Sequence, residues 1–264
     1  MNAFHNYIQV AGGRLMDLSK PQVMGILNCT PDSFYPASRM QDEDAIAARV
    51  REITGQGGTI IDVGACSTRP NSEPTDEKTE TERLRWSLPI IMRECQGTIV
   101  SVDTFRPEVA RMAVEEYGVS IVNDISGGSD EMFAMTARLG TPYILTSQAP
   151  DINSMIIDLT DKIRQLRSLG QKDIIIDPGF GFGKNIDENF GILRNMEMLH
   201  SLGLPLLVGV SRKRMVYTTL GTTPEEALNG TTVVNTIALM KGCNILRVHD
   251  VTEAVEAVKI TSKL

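Results

Sequence analysis

The chain has 264 residues, 42% of them hydrophobic, a length that suits one α/β barrel or two smaller domains. Its net charge of -7, with lysines and arginines spread along the chain, argues against a nucleic-acid surface, and its four scattered cysteines form no CxxC pair. No apolar run approaches the ~18 residues that cross a bilayer, so we expect an unprocessed cytoplasmic protein that binds neither membrane nor nucleic acid.

The first predicted element is a β-hairpin over residues 7–18, because polarity alternates on both sides of Gly12 and Gly13. Such a hairpin could close one end of a barrel. Apolar strand-like runs then alternate with helix-length segments. The predicted strands are 23–28, 59–64, 98–103, 119–123, 143–146, 173–177, 206–210 and 245–248, and the predicted helices are 42–55, 76–95, 107–116, 130–139, 153–169, 188–202, 224–241 and 251–262.

Eight successive strand–helix units favour an α/β fold, a (β/α)8 TIM barrel with an N-terminal β-hairpin. A doubly wound open sheet is the alternative, but no GxGxxG follows the first strand and that fold seldom needs eight evenly spaced units. Linkers and low-complexity tracts are absent from the sequence. We therefore predict a single domain over residues 1–264.

Residues 174–184, IIIDPGFGFGK, predict a buried strand that delivers Asp177 to a site, since Pro178 cannot continue the ladder. The glycine-spaced loop can hold Phe180 and Phe182 over a flat ligand. In TIM barrels the active site lies at the carboxyl ends of the strands, so polar residues there should converge. They are Asn28, Ser67, Thr68, Arg69, Asp103, Asn123, Thr146, Asp177, Ser211, Arg212, Lys213, Arg247 and His249; any one alone could instead cap a helix.

Asp103, Asn123 and Asp177 suit a ring edge such as that of a 2-amino-4-oxo pyrimidine. A carboxylate can accept the ring N–H and the exocyclic amine together, and we assign this contact to Asp177. Lys213 could alternatively form a Schiff base, but no tuned acid–base pair accompanies it. The GFGFGK run lacks the GxxxxGK[ST] spacing of a phosphate-binding P-loop.

Lys213, Arg247 and His249 add positive or proton-donating groups, which suit a keto oxygen and a phosphate-bearing leaving group. The expected ligand thus has a hydrogen-bonding ring at one end and an anionic tail at the other.

Seven ordered motifs span residues 25–251: GILNCTPDSF (25–34), DVGACSTRP (62–70), SVDT (101–104), VNDISGG (122–128), DPGFGFGK (177–184), GVSRK (209–213) and RVHDV (247–251). Together they resemble the bacterial dihydropteroate synthases. The resemblance implies a TIM-barrel transferase of folate biosynthesis that is usually a homodimer and a target of sulfonamides. It would join p-aminobenzoate to 6-hydroxymethyl-7,8-dihydropterin pyrophosphate with Mg²⁺ as cofactor, releasing pyrophosphate.

The resemblance also implies roles for individual residues. Lys213, Arg69 and Asp103 would be catalytic, and Asn28 would bind Mg²⁺ and serve the pyrophosphate. Catalysis would consist of positioning and leaving-group stabilisation beneath two mobile loops. The implied substrate-binding residues are Thr68, Arg69, Pro70, Asp103, Asn123, Asp177, Phe182, Lys213, Arg247 and His249.

The chain departs from the family pattern at Pro36, at Leu145-Thr146-Ser147, and at Arg214, which stands where a serine commonly meets the p-aminobenzoate carboxylate. Arg214 could pair with that carboxylate or point to solvent. Two alternatives to the synthase remain. One is a methyltransferase-like pterin-binding barrel, which would not need the SRK and RVHDV motifs, and the other is a catalytically weak pterin-binding paralogue.

Overall fold

The computed structural model describes residues 7–29, 39–66 and 75–264. Its first two strands, β1 (Tyr7–Val10) and β2 (Arg14–Asp17), pair antiparallel across the 3₁₀ turn Ala11–Gly13. Gly12 and Gly13 have φ angles of +74° and +73°, which a residue with a Cβ atom adopts only with strain. The predicted hairpin is confirmed.

Eight parallel strands follow and form one sheet in the order β8-β7-β6-β5-β4-β3-β10-β9. A bridge between Ile176 and Leu206 joins its two end strands and closes it into a barrel, as predicted. These strands are β3 (Gln22–Asn28), β4 (Ile60–Gly64), β5 (Ile99–Asp103), β6 (Ile121–Asp124), β7 (Tyr143–Thr146), β8 (Ile174–Asp177), β9 (Leu207–Val208) and β10 (Ile245–Val248).

Helices surround the barrel: α1 (Arg39–Gly55), α2 (Glu77–Glu94), α3 (Pro107–Tyr117), α4 (Asp130–Leu139), α5 (Ile152–Ser168), α6 (Ile186–Arg194), α7 (Arg214–Leu220), α8 (Leu228–Met240) and α9 (Val251–Thr261). Among the described residues, no helix is long and apolar enough to span a membrane.

Two helix predictions are wrong in detail. The segment predicted as one helix over 188–202 leaves α-helical geometry at Asn195, with φ -111° and ψ 15°, and continues as the 3₁₀ helix Met196–Leu202. The segment predicted as a helix over 224–241 becomes α8, which begins only at Leu228. Helix α7 was not predicted, because its 7 residues are too few for a helical period to be recognised.

The hairpin closes the amino-terminal end of the barrel. Each barrel strand contributes one inward apolar side chain to a cluster with the hairpin, and nearly all of these side chains are buried. The strand residues are Met24, Ile60, Ile99, Ile121, Ile144, Ile175, Leu207 and Ile245, and the hairpin residues are Ile8, Val10, Met16 and Leu18.

The barrel interior changes from apolar to polar two residues further along the strands, towards their carboxyl ends. Side chains on a strand alternate between its two faces, so the residue two positions after each inward apolar residue also points inward. At that position six strands carry polar residues, which therefore face the barrel axis near its carboxyl end. They are Asp62, Ser101, Asn123, Thr146, Asp177 and Arg247.

We expect Ile8→Ala to lower the free energy of unfolding by about 2–5 kcal/mol, because Ile8 is only 2% exposed in the apolar cluster. Leu15→Ala in the same hairpin is the matched control. Leu15 is 67% exposed, so its change should stay within about 0.5 kcal/mol. Urea unfolding of both variants measures the difference, and equal losses would contradict the packing of the hairpin against the barrel.

Candidate active site

Asp62 connects the polar side chains inside the barrel. It is fully buried, and its Oδ2 accepts hydrogen bonds from Arg247 Nε at 2.7 Å and from Asn123 Nδ2 at 3.0 Å. Arg247 also donates from Nη2 to Asp103 Oδ2 at 2.7 Å. Side chains from β4, β5, β6 and β10 are thus joined into one network.

Asp62 was not predicted as a site residue, because it does not close a strand. Asp62 lies in the middle of β4, two positions after the inward Ile60. The inward alternation along β4 was the signal that could have identified it.

The network contains one cation, Arg247, and two carboxyl groups, those of Asp62 and Asp103. Burial opposes the charged form of Arg247, but Asp62 and Asp103 raise the pKa of this guanidinium above its ordinary value. Burial raises the pKa of Asp103 to about 7, and the Arg247 guanidinium opposes that shift. Arg247 therefore stays charged, and the proton affinity of Asp103 depends on its contact with Arg247.

Asp177 and Lys213 form the second part of the site. Asp177 is 5% exposed, and its Oδ1 accepts a 2.8 Å hydrogen bond from the Gly179 backbone N–H. Burial raises the pKa of Asp177, although Lys213 opposes the shift. Desolvation lowers the pKa of Lys213 to about 8, while Asp177 acts in the opposite direction. Each group thus keeps the other closer to its charged form.

Phe182 lies beside Lys213, whose Nζ is 4.5 Å from the centre of the phenyl ring. Lys213 Nζ also donates to the Phe180 carbonyl. The Phe180 side chain is itself fully buried in the hydrophobic core, so the prediction that both phenylalanines face the ligand is wrong for Phe180. Its apolar ring is accommodated among the helices, which leaves Phe182 at the site.

The loop after β8 is held by side chains on both sides. Lys184 Nζ donates to the Ser147 carbonyl at 3.0 Å and to the Gly179 carbonyl at 2.9 Å, and Asn189 Oδ1 accepts from Gly181 N at 2.7 Å. Gly179 has a φ of +65°, and a Cβ atom there would lie 2.2 Å from the Ser147 oxygen. These contacts fix the backbone that carries Phe182.

His249 lies at the end of β10, where its Nδ1 is 3.0 Å from Ser211 Oγ. Ser211 Oγ also accepts the His249 backbone N–H at 3.2 Å. Partial burial of the ring and the neighbouring Arg247 lower the pKa of His249 to about 4. The imidazole is therefore neutral near pH 7 and presents its other nitrogen as a neutral hydrogen-bonding group.

Two arginines near Lys213 do not join the site. Arg212 forms a two-point ion pair with Asp250, at 2.9 Å and 2.8 Å, which makes it part of the support for β10. Arg214 begins α7 and is exposed.

Asn28 ends β3 beside Asp103. A Cβ atom at Gly64 would lie 3.7 Å from both Asn28 Oδ1 and Asp103 Oδ2, so both oxygens border the space above this glycine. Amide and carboxylate oxygens are ligands that Mg²⁺ accepts, usually one or two from the protein with the rest from water and substrate phosphates. No cluster of three His, Cys, Asp or Glu side chains with metal-binding potential occurs in the described ranges. The two side-chain oxygens, Asn28 Oδ1 and Asp103 Oδ2, therefore fit a Mg²⁺ whose other ligands come from water and the substrate.

The predicted residues Ser67, Thr68, Arg69 and Pro70 lie outside the described residues. So do residues 30–38 of the first mobile loop, which the resemblance implies over residues 30–39. The remaining predicted residues occupy one end of the barrel: Asn28, Asp103, Asn123, Asp177, Phe182, Lys213, Arg247 and His249.

The chain is similar to proteins of a known family. The profile of the pterin binding enzyme family matches residues 24–249. A dihydropteroate synthase of Clostridium beijerinckii is 37% identical over 252 residues, which cover 90% of this chain and 92% of the relative. The structure of Thermus thermophilus dihydropteroate synthase in complex with 4-aminobenzoate is similar with a TM-score of 0.84 and 33% identity, covering 97% of this chain and 99% of that one. A Clostridium difficile dihydropteroate synthase solved with pteroic acid gives a TM-score of 0.86 at 30% identity, with coverage of 92% and 96%.

We expect the Lys213 ammonium to titrate with a midpoint near pH 8, followed by ¹³C NMR of the lysine ε-carbon. Asp177→Asn should move the midpoint lower, because the Asp177 carboxylate raises the pKa of Lys213. Asp158→Asn on α5 is the control, since Asp158 pairs with Lys162 at 2.8 Å. An unchanged Lys213 midpoint in the Asp177→Asn variant would contradict the electrostatic effect of Asp177 on Lys213.

Proposed function

We propose that this chain, which belongs to the dihydropteroate synthases of the pterin binding enzyme family, joins p-aminobenzoate to 6-hydroxymethyl-7,8-dihydropterin pyrophosphate in folate biosynthesis. The products would be dihydropteroate and pyrophosphate. The observation that carries the proposal is the position of the buried Asp177 and the partly buried Lys213, whose charges stabilise each other, at the same end of the barrel as the network of Asp62, Asn123, Asp103 and Arg247. Together these residues supply hydrogen-bonding groups for a ring and positive charge for an anionic tail.

The pterin ring would bind between the two parts of the site. Asp177 would accept the ring N–H and one hydrogen of the exocyclic amine, a charge-assisted pair. Its burial supports this role, because a desolvated carboxylate gains more from a donor than one in water. Lys213 would donate to the keto oxygen, and Asn123 and Asp103 would complete the contacts to the ring.

The p-aminobenzoate ring would lie beside Phe182, close to the methylene carbon that carries the pyrophosphate. We assign Thr68, Arg69 and Pro70 to this side of the reaction centre through their motif. Sulfonamides would compete for the same place. Arg214 would stay outside, because it is exposed at the start of α7.

The reaction requires positioning and stabilisation of the leaving group. The p-aminobenzoate nitrogen forms a bond to the pterin methylene carbon, and the bond from that carbon to the pyrophosphate oxygen breaks with its electron pair leaving on oxygen. The amine then loses its proton to water. Arg247 and His249 would bind the pyrophosphate, and Mg²⁺ held by Asn28 would neutralise part of its charge when bound. Because the amine is already nucleophilic, no strong base is needed.

The synthase is favoured over a methyltransferase-like barrel by three residues of two motifs. Lys213, Arg247 and His249 come from the SRK and RVHDV motifs, and a barrel without an anionic leaving group has no need of them. A catalytically weak paralogue would bind the pterin without turnover. The free, buried thiols of Cys29, Cys95 and Cys243 are compatible with the proposed cytoplasmic location.

A homodimer is part of the proposal, and α8 offers a surface for it. Val233, Ile237 and Met240 are 51%, 38% and 58% exposed, and their spacing places them on one side of the helix. Leu220 at the end of α7 is 55% exposed. Such an apolar stripe is typical of a surface that a second subunit covers.

The purified chain should release pyrophosphate from the pterin substrate when p-aminobenzoate is present. Asp177→Asn should weaken pterin binding about tenfold to a hundredfold, because an amide cannot offer two equivalent acceptor oxygens. The control is Asp161→Asn, a change in an exposed pair with Arg164, which should leave binding and turnover unchanged. Pterin binding without pyrophosphate release would indicate the weak paralogue, and absence of pterin binding would refute the site.

Ile237→Asp should shift the dimer towards monomer in sedimentation velocity experiments, because it places a charge within the α8 stripe. Ile157→Asp on α5 is the matched control, since Ile157 is 66% exposed and lies on a different helix. An unchanged dimer in the Ile237 variant would place the interface elsewhere.

A further inference from the structure

Thr146 at the end of β7 carries a buried hydroxyl that is unlike the other threonine hydroxyls nearby. The residue is 0% exposed, and its Oγ1 has no hydrogen-bond partner among the described residues. The equally buried Thr136 on α4, by contrast, donates its hydroxyl to the Met132 carbonyl at 3.0 Å. A buried hydroxyl without a partner is rare and destabilising, so its retention at a binding site points to a ligand.

The position of Thr146 directs its side chain into the barrel. It follows the inward Ile144 by two residues, and Ile144 belongs to the apolar cluster at the amino-terminal end. Its backbone is in register with Asp177 on the neighbouring strand. Its methyl carbon lies against the loop after β8, where a Cβ atom at Gly179 would approach it to 2.8 Å. The methyl group thus packs under the loop, and Thr146 lies beside Asp177 in the sheet.

The expected ring has one donor more than Asp177 can accept. An exocyclic amine carries two N–H groups, and the carboxylate that binds the ring N–H and one of these leaves the second N–H to another acceptor. Adjacent parallel strands are about 4.8 Å apart, so a residue in register with Asp177 lies next to that second N–H. A hydroxyl there is an acceptor of suitable size.

We propose that Thr146 Oγ1 accepts the second N–H of the exocyclic 2-amine and so selects rings that carry this amine. The inference rests on the proposed function, since it requires a pterin held by Asp177. It concerns a specificity-determining contact and leaves the chemistry of condensation unchanged. A ring with another substituent at that carbon would bury the hydroxyl unpaired, which makes the site discriminate against it.

The test uses Thr146→Val, which removes the hydroxyl and preserves the shape of the side chain. Calorimetry would measure the dissociation constants of 6-hydroxymethyl-7,8-dihydropterin pyrophosphate and of its analogue with hydrogen in place of the 2-amine. We expect the variant to bind the amine-bearing compound about fivefold to tenfold more weakly than the wild type does. For the analogue, we expect wild type and variant to differ by less than about twofold, because no N–H remains for the hydroxyl to accept.

Thr136→Val is the matched control, because it removes a buried threonine hydroxyl outside the barrel. It should lower the Tm without altering either dissociation constant. The unliganded Thr146→Val protein should keep or exceed the wild-type Tm, since its lost hydroxyl has no partner.

The outcomes separate this inference from the proposed function. If the wild type binds the pterin substrate and Thr146→Val binds both compounds as the wild type does, the contact with Thr146 is refuted and the function stands. The same conclusion follows if the variant weakens both compounds equally. If the wild type binds neither compound, the proposed function fails and the inference fails with it.

Discussion

The pairing of Arg247 with Asp62 is the interaction on which the interior of the barrel depends. A guanidinium inside a protein is stable only when carboxylates and hydrogen bonds replace its water, and removal of one partner leaves a costly unpaired charge. Asp62 supplies that partner and also accepts from Asn123, so one carboxylate orients two side chains from β6 and β10. Asp103 is oriented in turn through Arg247. A single fully buried acid therefore determines the geometry of the polar end.

This arrangement leaves several acceptor atoms unused in the described structure. Asp62 Oδ1, Asn123 Oδ1 and Ser101 Oγ are buried and have no partner there, although their side chains are held in place by strands or by hydrogen bonds. Groups held in this way lose little entropy when a ligand arrives, which favours tight and selective binding. These atoms are already desolvated in the folded barrel. A ring with complementary donors would therefore gain most of the free energy of each hydrogen bond it forms with them.

The sequence predicted the barrel and much of the site because both follow from short-range patterns. The run of three isoleucines before Asp177 indicates a buried strand that ends at an acid, and the same logic finds Asn123 and Asp103. Asp62 was missed because it lies inside β4, where the alternation of inward-facing side chains marks it and the end of a strand does not. Phe180 was misplaced because an aromatic residue in a glycine-rich loop can turn towards the core or the ligand, and only tertiary packing decides. The ion pair of Arg212 with Asp250 joins residues 38 positions apart, which no local pattern reveals.

The barrel is held together by fewer backbone pairs at its closure than between its other neighbouring strands. Strands β8 and β9 meet through one isolated bridge, Ile176 to Leu206, whereas β3 and β4 share five registered pairs. Asp177 ends the first of these two strands and Lys213 follows the second, so the ring that we propose to bind both would span the weakest joint of the sheet. The substrate would then act as a removable cross-link between β8 and β9, the first and last strands of the sheet order. Local separation of β8 from β9 and dissociation of the ring would then be linked equilibria. Each would become less favourable when the other is suppressed.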